Sequence, residues 1–265
     1  MRTNLEVKKN NIFKDVALSI AAVIILNIVI QFIMYPTLEQ KLGIKGYGDF
    51  IYAITFINII TAAIGSGVNL ERMKISVNNI TYNGDFLASI FIFFSLSIPI
   101  GLIYLAIGKI EFTLWEFLLF FLLCLFTILR NYNDVDFKLR TDYVNYFFYY
   151  LAISIGYLIC ILLGGSSTNW LIILLCGEIC AFLYILIKGK IVTRDFHKTS
   201  PTIKNTLTLT SSVVFSILMS NCIFNMDRII LKILCGSEAV SVAVVQPFED
   251  GRIWNRRAKE LVGDM

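Results

Sequence analysis

Seven apolar runs, at about 16–36, 48–68, 86–108, 114–130, 143–164, 169–187 and 211–235, limit this chain to one kind of fold. A hydrocarbon core about 30 Å thick asks for roughly 20 residues of helix, and the runs meet that length or fall just short of it. Inside hydrocarbon every backbone amide and carbonyl needs an internal partner, which leaves helices for runs of this length. Tilt or local thinning accommodates the shorter runs at 114–130 and 169–187. With 57% hydrophobic residues, 16% charged residues and a mean hydropathy of +0.74, a soluble domain is excluded. The first run is too long for a signal peptide and lacks a small-residue cleavage site, so it reads as a retained helix. The chain is therefore expected to be an all-α polytopic membrane protein.

Lysine and arginine set the orientation, because they accumulate on the cytoplasmic side. The N-terminal segment and the second, fourth and sixth loops hold fourteen of them, including Arg72, Arg130, Lys138 and Lys188. The other three loops hold only Lys41, Lys45 and Lys109. The expectation is a cytoplasmic N-terminus, with Trp115 and Trp170 in an aromatic belt at the outer interface. The six cysteines lie in apolar segments or at their ends, without a disulfide or zinc framework around them.

The seventh run carries polar residues in a pattern. Asn221, Asn225, Arg228 and Lys232 recur at spacings of four, three and four, which puts them on one helix face. Ser212, Ser216, Ser220 and Asp227 fall on a neighbouring face. A charge in the hydrocarbon core costs about 2.5–3.5 kcal/mol even on the gentler scale, so such a stripe is expected to face protein or water. The run ends in LCGSEAVS, which echoes LGIKGYG after the first span, with Gly236 under Gly43. Six spans before the echo give a parallel repeat, related by an axis along the membrane normal. The expected organisation is a six-helix bundle over 1–206, the first helix of a second bundle over 207–241, and a charged tail over 242–265. Residues 246–265 carry eight charges in twenty, whereas Phe50 to Val68 in the first copy is almost wholly apolar. A truncated or frame-shifted product is the expectation that accounts for this ending.

Several stretches together resemble the polysaccharide-biosynthesis flippases, which carry lipid-linked oligosaccharides. They are YPTLEQKLGIKGYGDF, FKLRTDYVNYFFYYL, CGE, and NMDRIILKILCGSEAVS, in that order, and the likeness covers about residues 10–241. The resemblance implies two facing six-helix bundles around a central cavity, of which this chain supplies one and the first helix of the next. It implies translocation of a polyprenyl diphosphate oligosaccharide across a bacterial cytoplasmic membrane for capsule, O-antigen or another surface polysaccharide. The implied partners are membrane lipid, the lipid-linked oligosaccharide, and a polysaccharide polymerase or a missing second half. A multidrug or cation exporter of the same superfamily, or a remnant that transports nothing, stands as the alternative.

A diphosphate bearing sugars needs a wet cleft with hydrogen-bonding walls and positive charge, since unsatisfied polar groups cost several kcal/mol in hydrocarbon. Arg228 suits that role because its planar fork matches phosphate oxygens bidentately, and Lys232 lies one turn on. Snorkelling to outer headgroups is the competing reading for Lys232. Asn221 and Asn225 continue the stripe. Asn27 and Gln31 share a face of the first helix, and Thr55, Asn58 and Ala62 a face of the second. Bonds between helices explain these amides equally well. Glu178, midway along the sixth span, and Asp227 are the candidate ion-coupling acids. Pro99 reads as a kink, Gly156 as a close helix contact, and Tyr143, Tyr146, Tyr149 and Tyr150 as an interfacial anchor. No phosphate-cradling glycine loop, metal-spaced histidine cluster or nucleophile elbow is present, so no enzyme, cofactor or metal is expected. The short basic loops follow the orientation rule and do not indicate nucleic-acid binding.

Overall fold

A computed structural model describes residues 2–78, 83–139, 142–163, 169–188 and 203–245, and these are helical almost throughout, without a strand. Six helical stretches among them are long and apolar enough to cross a membrane: Lys14–Lys74, Gly84–Ile107, Leu114–Val135, Tyr143–Leu163, Trp170–Lys188 and Thr206–Phe224. The first of these contains two of the expected spans. Helix α1 (Arg2–Ile28) passes through a π-helical turn (Val29–Met34) directly into α2 (Tyr35–Asn78), so no irregular loop separates them. The reversal occurs at Gly43, whose φ of 65° and ψ of 174° interrupt α2. Tyr35 and Phe50 show the fold-back: their rings are 5.9 Å apart, whereas fifteen residues of unbroken helix would separate them by about 22 Å. Only glycine adopts this backbone without a side-chain clash.

The part of α2 after Gly43 is the axis of the molecule. Almost every residue from Phe50 to Ile64 is buried, as expected for a helix that is apolar on all sides. Around it pack α3 (Asn83–Ile107), α4 (Leu114–Leu139), α7 (Ile203–Phe224) and α9 (Ser237–Val245). Amides join α2 to α4: Asn69 Nδ2 donates to the Asn131 carbonyl (2.6 Å), and Asn131 Nδ2 donates to the Thr61 carbonyl (3.2 Å). On α3, Tyr104 stacks on Tyr52 at 4.2 Å, and each hydroxyl donates to the other residue's carbonyl. A second layer forms where α5 (Tyr143–Leu163) packs on α6 (Trp170–Lys188) and on α1. Gly156 makes the close contact that its sequence position suggests, for a β-carbon there would stand 2.8 Å from the Cα of Gly177.

Several expectations are corrected. The run 211–235 is two helices, α7 and α8 (Met226–Cys235), divided at Asn225. Helix α4 continues past residue 130 to Leu139, so Arg130 and Lys138 belong to a helix and not to a loop, and Lys138 pairs with Asp134 one turn back at 2.6 Å. Trp115 is exposed, but Trp170 is buried against Phe50, with ring centroids 5.1 Å apart. Tyr146 and Tyr149 lie in the core instead of at an interface, and the Tyr150 hydroxyl donates to Asp134 (3.1 Å). Pro99 sits inside the unbroken α3. Helix α7 begins at Ile203, slightly before the boundary expected at 207, and residues 242–245 of the expected tail continue α9. Residues 246–265, and most of the basic 188–206 loop, lie outside the described residues.

The α5–α6 contact is a direct test of this packing. Gly156→Val should lower the unfolding free energy in detergent by about 1–3 kcal/mol, since overpacking displaces a helix that has no slack. A denaturant titration that leaves the midpoint unchanged would rule out this contact.

Candidate functional site

The expected stripe on the seventh run is divided between two helices at Asn225, yet Asn221, Asn225, Arg228 and Lys232 all remain on the less exposed side, while Phe224, Met226, Asp227 and Ile230 between them are exposed. Asn225, at φ −112° and ψ 11°, ends α7, and its backbone amide is shared between the carbonyls of Asn221 (3.1 Å) and Cys222 (3.3 Å). Its side-chain amide donates to the same Asn221 carbonyl (2.8 Å). Asn225 therefore helps satisfy the end of α7 with its side-chain amide. Asn221 is half-buried.

Beyond the break, α8 is a ten-residue segment that carries Asp227, Arg228 and Lys232 between Asn225 and Gly236. Gly236 has φ 82° and ψ −175°, nearly the backbone of Gly43, and its amide donates to the Lys232 carbonyl (3.1 Å). Arg228 is half-buried and makes no hydrogen bond or ion pair among the described residues. Its guanidinium lies within electrostatic reach of the hydroxyls of Tyr35, at the start of α2, and Tyr47, beyond Gly43, and the Glu39 carboxylate is in reach of the same Tyr47 hydroxyl without an ion pair to Arg228. Asp227 is exposed and also makes no such bond.

Lys232 departs from the snorkelling expectation, for it is buried and fully engaged. Its Nζ donates to Asp49 Oδ1 and to Ser237 Oγ (2.6 Å), and Ser237 Oγ donates to the same Asp49 oxygen (2.7 Å). The ammonium also stands 5.8 Å from the centre of the Tyr52 ring, a cation–π distance. Beside this triad α2 and α9 touch through backbone: a β-carbon on Gly48 would lie 1.8 Å from the Ser237 carbonyl oxygen. Asp49 and Ser237 were not among the expected site residues. The one signal for Asp49 is its place as a lone acid beside Gly-Tyr-Gly at the start of an apolar span.

Glu178 is buried on α6 and faces Arg130 of α4, with Nε to Oε2 at 3.3 Å. The two atoms are close enough to pair by charge, but their angle does not make a hydrogen bond. The hydroxyls of Thr127 and Tyr157 stand within donating reach of the carboxylate. The depth follows from helix geometry. Asn169, just before α6, donates to Glu116 at the start of α4 (2.7 Å), which sets the two helices level there. From that level Glu178 lies about 13 Å along α6 and Arg130 about 21 Å along α4. Helical side chains lean toward the N-terminus, so Arg130 reaches back about one turn to meet it. Sequence reading gives Glu178 no partner because Arg130 is there assigned to a loop.

The remaining amides reach the surface. Asn27 and Gln31 are exposed on α1 and the π-helical turn. Asn58 is the exposed member of an otherwise buried stretch of α2, and Ser66, two turns on, is exposed on the same face. Thr55 is not part of this face, since it is buried and its hydroxyl donates to the Ile51 carbonyl (2.7 Å). On α7, which packs against α2, Ser212, Ser216 and Ser220 are exposed. A groove of about 370 Å³ runs along α1 between Val16 and Ile24, and none of these polar residues lines it. No protein-family model, curated protein or solved structure matches this chain.

The Arg130–Glu178 pair has a measurable signature. Removing one partner leaves a buried charge uncompensated, so Arg130→Met should destabilise by about 3–5 kcal/mol. Arg130→Met with Glu178→Leu should recover most of that loss in a detergent unfolding titration. Equal stability of the single and double variants would mean the two side chains do not depend on each other.

Proposed function

We propose that this chain belongs to a carrier for lipid-linked oligosaccharide in a bacterial cytoplasmic membrane, with its N-terminus on the cytoplasmic side. In this reading it contributes one six-helix bundle and the start of a second, parallel repeat. The observation that carries the proposal is Arg228: a half-buried guanidinium in an apolar chain, next to two tyrosines and with no anionic partner among the described residues. A cation held in that state is stabilised by an anion that comes and goes, and a diphosphate is the anion whose oxygens its fork matches.

Two further observations support the reading. Gly43 and Gly236, which align in the sequence echo, share an unusual backbone conformation, and each opens a new helical segment. An internal repeat predicts such a coincidence, and unrelated turns do not require it. The exposed strip of α2 carries Asn58 and Ser66 on a helix that is otherwise mostly buried, and the neighbouring α7 exposes three serines among apolar residues. An exposed helical hydroxyl can donate to its own helix, as Ser95 does to the Phe91 carbonyl (2.8 Å), but its remaining lone pairs, and an amide such as that of Asn58, gain further bonds where water, sugar or protein lies against them. These residues fit one wall of a wet cleft, along which sugar hydroxyls exchange water for side-chain hydrogen bonds while the polyprenyl tail stays in lipid.

A cation exporter is the second reading, and exposed, unpaired Asp227 favours it. Glu178 does not, since Arg130 already balances its charge. The same pairing makes Glu178 an ion-coupling acid only if Arg130 lets it go.

Arg228→Ala in the cell's own copy of the gene is expected to reduce export of surface polysaccharide by tenfold or more, at unchanged membrane levels of the protein. That factor corresponds to losing charged hydrogen bonds of about 1.5–3 kcal/mol. Export at the native rate, measured as surface glycan against intracellular lipid-linked precursor, removes Arg228 from the site and the proposal with it.

A further inference from the structure

Helix α8 carries two cations one turn apart, in different states. Arg228 has no anionic partner among the described residues, while Lys232 is held by Asp49. Residues at i and i+4 have β-carbons about 6 Å apart, a spacing that suits the two phosphoryl groups of one diphosphate. Both cations could then serve a single ligand, were it not that a carboxylate of α2 already occupies the second.

Burial is uneven in that pair. The Lys232 side chain is 6% exposed and that of Asp49 is 31% exposed. The carboxylate has an exposed side toward which it can leave, but its departure alone would strand a buried ammonium, which is expensive. Departure becomes favourable when another anion takes its place. The Tyr52 ring and the Ser237 hydroxyl remain beside Lys232 in either case, so the cation keeps part of its support during an exchange.

We propose that Asp49 is an internal counter-anion, which occupies Lys232 while the site is empty and is displaced by a diphosphate that binds Arg228. This rests on the reading of Arg228 as the phosphate ligand. The exchange has a structural consequence. Helix α8 is ten residues long between two interruptions, and the triad ties its far end to α2. Freeing Asp49 removes the charged link beside the Gly48–Ser237 backbone contact, which is where α9 rests on α2. Ligand binding is thereby coupled to the hold of α8 and α9 on the first bundle.

The test is the affinity of the purified full chain in detergent for inorganic pyrophosphate, measured by calorimetry. Asp49→Asn removes the competing charge and should bind roughly tenfold more tightly, within the usual range of coupling between sites. Ser237→Ala, a milder change that loosens Asp49 without leaving Lys232 unpaired, should move affinity in the same direction by a smaller factor. Adding Lys232→Gln to Asp49→Asn should return the affinity to about the native value. Native affinity in both Asp49→Asn and Ser237→Ala, with native binding still dependent on Arg228, overturns the counter-anion and leaves the Arg228 reading standing. Absence of pyrophosphate binding in every form, Asp49→Asn included, overturns both. A second arm uses nanodiscs doped with a polyprenyl diphosphate: tighter binding there than to pyrophosphate assigns the displacing group to a lipid, and equal binding assigns it to free diphosphate. In either outcome the Asp49→Asn gain must appear on the probe that binds, and its absence there overturns the exchange.

Discussion

The controlling constraint is that hydrocarbon supplies no hydrogen bonds, so each interruption of a helix must be repaired by the protein itself. The described part of the chain interrupts its helices in few places, and the repairs can be followed. At Asn225 a side-chain amide and a shared backbone amide close the end of α7. At Gly236 the backbone amide returns to the Lys232 carbonyl, while the Lys232 side chain crosses the break to Ser237. At Gly43 the reversal lets Tyr35 lie against Phe50. Because the axis helix α2 is surrounded by protein, it can carry Thr55 and Asn69 at buried positions, with a hydroxyl and an amide bond made inside the bundle.

Charge obeys the same rule more strictly. Two buried or nearly buried ion pairs join different helices, Arg130–Glu178 between α4 and α6 and Lys232–Asp49 between α8 and α2. They differ in surroundings. The first joins the two layers of packed helices, with neutral hydroxyls around its carboxylate, and sets their register. The second joins α8, just before Gly236, to α2, just after Gly43, and one of its partners is substantially accessible. A pair in the first setting resists exchange, whereas a pair in the second has an open side. Arg228, a turn away, has an open side and no anion, and this difference between neighbouring cations gives α8 its functional interest.

The helical class, the length of the spans and the special character of Gly43 and Gly236 were all legible in the sequence, because hydropathy and glycine act within a few residues of themselves. The polar face of α2 was partly legible: Asn58 is exposed as a cleft residue would be, but Thr55, three positions before it, bonds to its own helix. The stripe on the seventh run was legible as a less exposed side but not as one helix: Asn225 interrupts it, and hydropathy carries no mark of that interruption. Trp170 and the tyrosines of α5 were assigned to an interface by composition, although aromatic rings fill a core equally well, and packing against Phe50 and α4 decided between the two.

Sequence alone determined that this chain is a set of long apolar helices with glycine at two matching breaks, since each of those properties is local and is forced by lipid or by backbone sterics. Tertiary structure alone decided that Lys232 meets Asp49, 183 positions away, that Glu178 meets Arg130, and that Arg228 meets no anion among the described residues. Those facts depend on which helices lie side by side and at what height. Lateral packing of that kind leaves no periodic mark within any one segment.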